Sequence, residues 1–240
     1  MIPKIINYCW FGKNEKPKIV LECIESWKKK CPGYEIIEWN EDNFDININN
    51  YVKEAYENKK WAFVSDYARL WILYNYGGIY LDTDVQLIKS LDETINTELF
   101  ITSEDNKYIA TGLGIGSKKN NSIIKKMMDD YSNIHFINDG KMDYTTCPVR
   151  NTNTLKPYLK DIDMTQKSQN EYFTYYPKQY FNPKDYDTDM IEPTQETIGI
   201  HLGMASWMKK RTKLKYKIHH FIKKIIGINL TKKIKKKLKK

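Results

Sequence analysis

The sequence lacks long apolar runs and is poor in cysteine. No window of its 240 residues approaches the roughly 20 consecutive apolar residues that cross a bilayer, so no membrane-spanning helix is predicted. The four cysteines form no Cys-x-x-Cys pair, which argues against a zinc site or a disulfide framework. No signal-peptide pattern follows Met1, and we expect a cytoplasmic protein with reduced thiols.

Acidic residues are absent from the end of the chain. Residues 208–240 hold fifteen Lys and Arg and no Asp or Glu, whereas residues 1–207 hold 24 basic and 30 acidic residues, a net charge of −6. Leu214, Ile218 and Phe221 recur at helical spacing, which is typical of a helix in the plane of an anionic membrane surface. We predict a domain at 1–207 with a peripheral membrane tail. Packing on the domain, a disordered tail and nucleic-acid affinity are the alternatives, and no specific nucleic acid is expected.

Strand and helix patterns alternate along the domain, which predicts an α/β fold with a mostly parallel central sheet. Residues 132–200 are rich in Tyr, Asp, Asn and Pro and show no clear pattern. The predicted elements, in chain order, are strands at 5–11 and 34–39 around a helix at 20–30, a helix at 51–76 broken near Asn58 and ended by Gly77-Gly78, strands at 79–81, 99–102 and 109–117, and a helix at 122–131.

Two charged residues interrupt the most apolar helical stretch, which begins at Trp61. Asp66 and Arg69 are three residues apart and therefore share a face of this helix. A helix that is apolar nearly all round is buried. Charges on a buried helix must be paired or must line a polar cavity, because isolated burial costs several kcal/mol. The alternative is an ordinary surface ion pair.

The triplet Asp82-Thr83-Asp84 directly follows a predicted strand. In an extended segment, alternate residues point the same way, so both carboxylates would meet where open α/β sheets bind ligands. Two like charges so close repel unless a proton or a cation lies beside them, and Mg²⁺ or Mn²⁺ with substrate phosphates suits such oxygen ligands. Three further Asp-x-Asp triplets occur in polar, loop-like sequence and are expected to be solvated: 161–163, 185–187 and 187–189.

Four motifs together resemble glycosyltransferase family 32, and their arrangement is also similar to the glucosyltransferase domains of large clostridial toxins. The motifs lie at 2–12, 65–69, 77–84 and 201–207. The resemblance implies a GT-A (Rossmann-like) fold, with a donor-binding part at about 1–117 and an acceptor-side part at about 118–207. It also implies sugar transfer from a nucleotide diphosphate sugar with retention of anomeric configuration, using Mn²⁺ or Mg²⁺.

The resemblance assigns five residues to the nucleotide. Trp10 would stack on the base, beside the backbone of Cys9, and the alternative is a core tryptophan at a strand end. Ser65 would touch the ribose or the base. Tyr80 and Thr83 complete the donor-binding residues.

Further positions are assigned to the sugar, the diphosphate and the metal. Asp66 and Arg69 would hold hydroxyl groups of the donor sugar, and Arg69 would also reach the phosphate. Asp82 would bind ribose and sugar hydroxyls and the metal, and these three residues with Asp84 are the predicted catalytic residues. Asp84 would bind the metal. Late in the chain, His201 would complete the metal site, and Ser206 and Trp207 would cover the diphosphate. Without the resemblance, His201 would be interpreted as a buried or surface histidine that binds no ligand.

The acceptor side departs from the family pattern. A Thr-Gly-Pro turn is common there, whereas this sequence has Thr146-Cys147-Pro148. Thr146, Arg150 and Asn151 are the acceptor-side candidates.

The predicted function is a metal-dependent retaining transferase that acts on a glycan or lipid-linked glycan in bacterial cell-surface polysaccharide synthesis, with a UDP-sugar as the favoured donor and GDP-mannose possible. A toxin-like protein glucosyltransferase and a non-enzymatic basic-tailed binding module are the alternatives.

Overall fold

The structure, a computed structural model, describes residues 1–184 and 190–204. The predicted tail, Ser206 and Trp207, and the triplets at 185–187 and 187–189 lie outside the described residues. The elements are β1 (Ile5–Cys9), α1 (Lys18–Lys30), β2 (Glu35–Trp39), α2 (Asn50–Glu57), α3 (Trp61–Tyr76), β3 (Gly78–Tyr80), β4 (Val85–Leu87), β5 (Leu99–Thr102), β6 (Ile115–Ser117), α4 (Ser122–Asp129), β7 (Ile137–Asn138), β8 (Lys141–Met142), α5 (Cys147–Leu155), a 3-10 helix (Lys156–Tyr158), β9 (Ser168–Gln169), β10 (Thr174–Tyr176), α6 (Lys178–Phe181) and β11 (Gly199–His201).

The central sheet has seven strands in the order β2-β1-β3-β6-β5-β10-β9. Five of them point the same way, and β6 and β9 run antiparallel to their neighbours. β1 and β2 pair in parallel through the α1 crossover, with Ile6 opposite Ile36. The predicted α/β fold with a mostly parallel central sheet is confirmed.

Apolar residues cover both faces of this sheet. Within β5, Leu99 and Ile101 face one buried cluster and Phe100 faces the other, as the two-residue period of a strand requires. Helices α2, α3 and α4 pack on the first face. Helix α1 packs on the second, where the Trp27 indole nitrogen donates to the Val85 carbonyl at 2.7 Å. Helix α3 lies between the first face of the sheet and the neighbouring helices α2 and α4, so it can be apolar nearly all round.

The break predicted near Asn58 is confirmed. Helix α2 ends at Glu57, and Lys59 takes a left-handed backbone conformation with φ of 55° before α3 begins. The Asn58 side-chain amide donates to the Glu54 carbonyl at 2.8 Å, and the Asn58 backbone amide donates to the same carbonyl at 3.2 Å, so Asn58 closes the end of α2. Gly77, with φ of 73°, ends α3 and turns the chain into β3.

The strand predicted at 109–117 is wrong over its first half. Only Ile115–Ser117 pairs in the sheet, as β6, and Ile109 makes an isolated bridge with Ser103. The Gly112 carbonyl accepts a hydrogen bond from the Asp82 backbone at 2.7 Å, so this segment turns toward the end of β3 instead of extending along it. We call residues 110–114 the glycine loop.

All four cysteines are free and buried. In the described part of the chain, no helix combines the length and the apolar character needed to cross a membrane. The triplet at 161–163 lies in a loop with both aspartates exposed, as expected.

Candidate active site

The ion pair predicted within α3 is buried and has a third member. The Arg69 guanidinium lies 3.1 Å from the Asp66 carboxylate through Nη1 and 3.0 Å from the Asp82 carboxylate through Nη2. The Arg69 side chain is only 4% exposed, which excludes the surface ion pair. One arginine therefore joins the middle of α3 to the residue that follows β3.

Other side chains contact the same guanidinium. Arg69 Nη1 donates to the Cys147 sulfur at 3.1 Å and approaches Thr111 Oγ1 at 3.4 Å. The Asn151 amide donates to the same Thr111 oxygen at 2.9 Å. The Tyr80 ring lies 4.9 Å from the guanidinium carbon. Helix α5, which carries Cys147 and Asn151, is thereby tied to α3.

Burial sets the charge states of this cluster. It raises the pKa of Asp66 from 3.8 to about 6; Arg69 opposes the rise and Asp82 adds to it. Burial also disfavours the charged form of Arg69, but Asp82, Tyr80, Cys147 and Asp66 together keep its pKa well above the usual range. Arg69 is thus a permanent cation, whereas Asp66 can hold a proton under mildly acidic conditions.

Asp82 is the member of the cluster that faces solvent. Its side chain is 34% exposed and accepts a hydrogen bond from the Tyr80 hydroxyl at 3.1 Å. The glycine loop lies directly against it, since a Cβ at Gly112 would come within 1.9 Å of Asp82 Oδ2. Only a glycine allows the loop backbone to approach the carboxylate so closely.

Asp84 does not sit on an extended strand, so the predicted convergence of two carboxylates through strand geometry is wrong. Thr83 and Asp84 form a turn, in which the Val85 amide donates to the Asp82 carbonyl at 3.0 Å. The two carboxylates have different partners. Asp84 Oδ2 accepts from the Met204 amide at 2.8 Å and lies 3.4 Å from His201 Nε2.

The pairing of β4 with β11 places His201 beside Asp84. His201 lies opposite Val85 in this antiparallel pair, and the Leu202 amide donates to the Asp84 carbonyl at 2.9 Å. Burial opposes ionisation of Asp84, but the His201 and Met204 contacts outweigh it and lower the carboxyl pKa. Burial likewise disfavours protonated His201, and Asp84 outweighs it and raises the imidazole pKa. Two of the three predicted metal ligands, Asp84 and His201, are thus brought together, whereas Asp82 pairs with Arg69.

Asp84 and His201 could bind a divalent cation. Within residues 1–184 and 190–204, no three His, Cys, Asp or Glu side chains lie close enough together to form a complete metal site. The Asp84 carboxylate is a hard oxygen ligand for Mg²⁺ or Mn²⁺, which would complete its coordination with substrate phosphates and water, and the His201 imidazole could add a nitrogen ligand. The donor set therefore fits Mn²⁺ or Mg²⁺ bound together with a diphosphate.

The predicted nucleotide residues lie at the end of β1 and the start of α3. Trp10 is half-buried, and its indole nitrogen donates to the Asn14 carbonyl at 2.7 Å, so it is not a core tryptophan. Cys9 is buried, and burial raises its thiol pKa to about 12, which leaves only its backbone for a ligand. Ser65 Oγ donates to the Trp61 carbonyl at 2.8 Å. Thr83 is half-buried in the turn before Asp84.

The acceptor-side candidates occupy different surroundings. Thr146 precedes α5 and is half-buried. Arg150 pairs with Asp143, whereas Asn151 is buried in the Arg69 network.

The glycine loop was missed from the sequence, because residues 110–114 were predicted only as a strand. Two glycines within a strand pattern, Gly112 and Gly114, indicate that another group approaches the backbone closely, and this signal could have identified the loop.

Asp66, Arg69, Asp82 and Asp84 lie in a stretch of sequence that is shared with known proteins. Residues 17–101 match the sequence model of the family described as a glycosyltransferase sugar-binding region containing a DXD motif. This chain therefore contains that region, and the resemblance to DXD-containing glycosyltransferases is confirmed.

Individual relatives agree with this assignment. The chain is 30% identical over 136 residues to an uncharacterized glycosyltransferase, L373, of Acanthamoeba polyphaga mimivirus, covering 51% of this chain and 53% of that protein. It is 30% identical over 111 residues to inositol phosphoceramide mannosyltransferase 1 of Schizosaccharomyces pombe, covering 42% and 33%. The chain thus spans about half or less of the length of these curated relatives.

Solved structures of two glycosyltransferases are similar as well. The PaToxG glycosyltransferase superposes with a TM-score of 0.48 and 21% identity, covering 68% of this chain and 71% of that one. A glycosyltransferase involved in glycosylation of the major capsid of PBCV-1 superposes with a TM-score of 0.45 and 14% identity, covering 85% and 96%.

Proposed function

We propose that this protein transfers a sugar from a nucleotide diphosphate sugar to a glycan acceptor. The observation that carries the proposal is the Asp66–Arg69–Asp82 cluster, which lies within the matched sugar-binding region and opens to solvent at Asp82. A buried cation fixed between two carboxylates presents both donors and acceptors, as sugar hydroxyls require. The resemblance favours a UDP-sugar, and the mannosyltransferase names of the fission-yeast relatives keep GDP-mannose as a second donor.

The chain's own residues hold the donor in this proposal. Asp66, Arg69 and Asp82 bind hydroxyls of the sugar and ribose, and Trp10 stacks on the base. Asp84 and His201 hold Mn²⁺ or Mg²⁺, which supplies positive charge to the diphosphate leaving group when bound. Ser206 and Trp207 cover the diphosphate.

Retention of configuration follows from front-face attack in this scheme. A nucleophilic carboxylate would have to be free to reach the anomeric carbon. Asp66 and Asp82 are both held by Arg69, so we assign neither to that role. The bond between the anomeric carbon and the diphosphate breaks as the acceptor oxygen forms the new glycosidic bond on the same face, an oxygen of the donor phosphate takes the proton of the acceptor hydroxyl, and the nucleotide diphosphate leaves. Trapping of a covalent glycosyl-enzyme would contradict this scheme.

We further propose that the acceptor is a glycan or lipid-linked glycan of capsule or lipopolysaccharide synthesis, with Thr146, Arg150 and Asn151 on the acceptor side. The tail at 208–240 holds the enzyme on the inner face of the membrane through its lysines. Flotation with liposomes tests this placement. The full chain is expected to float only with anionic lipid, and a chain ended at residue 207 should not. Equal recovery of both chains would contradict the proposal.

A thermal-shift panel tests the donor site. UDP, GDP, CDP and ADP are each added with Mn²⁺ or with EDTA. A nucleotide at about 100 times its dissociation constant stabilises the fold by roughly 2.7 kcal/mol, which a melting curve resolves. We expect one nucleotide to raise the melting temperature, only with Mn²⁺.

Two variants make this panel specific. Asp84→Asn should lose the metal-dependent shift, while Asp161→Asn, which changes an exposed loop aspartate in another Asp-x-Asp triplet, should keep it. A shift that survives Asp84→Asn would contradict the metal site. No shift with any nucleotide would contradict the proposed activity and favour a non-enzymatic binding module.

A further inference from the structure

Three buried polar atoms without a hydrogen-bond partner among the described residues belong to side chains in mutual contact. They are the Tyr51 hydroxyl, the Tyr131 hydroxyl and Arg150 Nε. The two tyrosine rings are 4.9 Å apart, and the Arg150 guanidinium carbon lies 5.6 Å from each ring. We call Tyr51, Tyr131 and Arg150 the tyrosine–arginine cluster. It joins α2, the turn after α4, and α5.

Such groups are costly to bury without a partner. A buried donor or acceptor left unpaired destabilises a fold by about 1–3 kcal/mol, so unpaired groups seldom gather in one place. The fold does pair other buried tyrosines. Tyr175, also fully buried, donates its hydroxyl to the Met164 carbonyl at 3.0 Å. The tyrosine–arginine cluster therefore has the character of a binding site whose partner comes from outside the chain.

The cluster borders the candidate active site at Asp66. The Tyr67 ring, next along α3 from Asp66, packs on Tyr131 with the centroids 5.9 Å apart. Burial raises the pKa of both cluster tyrosines, and after burial the Asp66 charge is the strongest contribution to each. Helix α5 carries Arg150 next to Asn151, which belongs to the Arg69 network. The cluster thus lies beside Asp66 and the Arg69 network.

The net charge of the cluster indicates whether its ligand is charged or neutral. Arg150 is already paired with Asp143, so the three side chains and this aspartate carry no net charge together. A phosphate or carboxylate would find no free positive charge here. A neutral hydroxyl, which both donates and accepts, can bond to phenol hydroxyls in either direction and accept from Arg150 Nε.

We propose that the tyrosine–arginine cluster forms the inner wall of the sugar subsite and hydrogen-bonds a hydroxyl of the transferred sugar. This inference rests on the proposed function, since it places the sugar of the donor against Asp66. It assigns Tyr51 and Tyr131 to the selection of the sugar, a role separate from the binding of the nucleotide and its metal.

Removal of single hydroxyls tests the proposal. Tyr51→Phe and Tyr131→Phe are compared with the wild-type protein for binding, with Mn²⁺, of UDP, GDP, UDP-glucose, UDP-galactose and GDP-mannose. We expect the preferred nucleotide sugar to bind about two- to tenfold more weakly to each variant, the loss of one hydrogen bond. The affinity for the matching diphosphate alone should not change. Without ligand, the melting temperature should stay the same or rise, because an unpaired buried group is removed.

Tyr175→Phe is the matched control. It removes a buried hydroxyl that does have a protein partner, so it should lower the melting temperature by about 2 °C and leave all affinities unchanged. If Tyr51→Phe and Tyr131→Phe instead behave like this control, the hydroxyls bond to buried water and the inference is wrong. If the wild-type protein binds no nucleotide at all, the proposed function fails, and the sugar subsite fails with it.

Discussion

The two parts of the candidate site are built in different ways. Arg69 reaches Asp82 across only 13 residues of sequence, and Asp66 lies on the same helix as Arg69. Asp84 instead depends on Met204, 120 residues away, and on the pairing of β4 with β11. The charged residues of the first part come from one stretch of sequence, although Thr111 and Cys147 also contact Arg69, whereas the charged pair of the second part is closed by a distant segment. The first part should therefore govern stability, and the second should govern activity with less effect on the fold.

Replacement of Arg69 should give the largest loss of stability. Arg69→Met leaves Asp66 and Asp82 without their shared cation, and loss of one partner of a buried ion pair costs about 3–5 kcal/mol. Urea unfolding, monitored by fluorescence, measures this loss in the free energy of unfolding. His201→Ala, at a side chain that is 23% exposed, is the comparison and should lose much less. Equal losses in the two variants would remove the distinction between the two parts.

Replacement of Asp84 should give the largest loss of activity relative to its effect on the fold. Asp84→Asn keeps an oxygen that can accept from the Met204 amide but removes the charge that holds the cation. We expect metal-dependent release of the sugar to fall by about two orders of magnitude, since the metal contributes several kcal/mol to the barrier. Hydrolysis or transfer assays with the preferred nucleotide sugar measure it. Asp161→Asn should retain full activity, and an active Asp84→Asn protein would refute the metal role.

The same difference explains which part of the candidate site could be predicted from the sequence. The apolar surroundings of Asp66 and Arg69 predict a buried pair through helix periodicity and the energy of buried charge. Asp82 joins them because β3 begins at once after the glycines that end α3. In contrast, no local pattern connects His201 with Asp84, and only the resemblance suggested it. Pairing of β4 with β11 is a long-range event that residue spacing does not encode.

The prediction of extended structure was wrong at two places where hydrogen bonds turn the chain. Asp82 to Asp84 looked extended, but the turn at Thr83 gives the carboxylates different partners. Thr111 and Gly112 looked like strand residues, yet they lie against Arg69 and Asp82. The described residues between 132 and 200 form short elements connected by side-chain contacts such as Arg150 with Asp143, and such contacts have no periodic signature.

The glycine loop offers a smaller change to the local part of the site. Gly112→Ala places a Cβ about where Asp82 Oδ2 lies, so the loop or the carboxylate must move. We expect a loss of about 1–3 kcal/mol in the free energy of unfolding, as in other overpacked sites, together with weaker nucleotide-sugar binding. Gly33→Ala, where a Cβ has nothing within 4 Å, is the control and should change neither quantity. A stable and active Gly112→Ala protein would show that the close approach is not required.

The smallest predicted effect is a pH dependence that belongs to the buried part of the site. The Asp66 pKa is about 6 in the folded protein and 3.8 in the absence of burial. Below the lower value, Asp66 is protonated in both states. Between the two values only the folded state keeps the proton, so the free energy of unfolding should fall as the pH rises through this interval. Above pH 6 the contribution of this group no longer changes.

Comparison with Asp66→Asn isolates the contribution of Asp66 to the pH dependence of stability. The comparison is needed because carboxyls with lowered pKa values, such as Asp84 and Asp143, make the free energy of unfolding rise with pH. The asparagine keeps an oxygen for Arg69 and cannot titrate. Urea unfolding from pH 4 to pH 7 should show the wild-type protein losing about 1–2 kcal/mol relative to this variant. Parallel curves would mean that Arg69 compensates fully for the burial of Asp66. The Arg69 cluster would then be a neutralised structural ion pair at every pH, and the contrast with the Asp84 part of the site would rest on geometry alone.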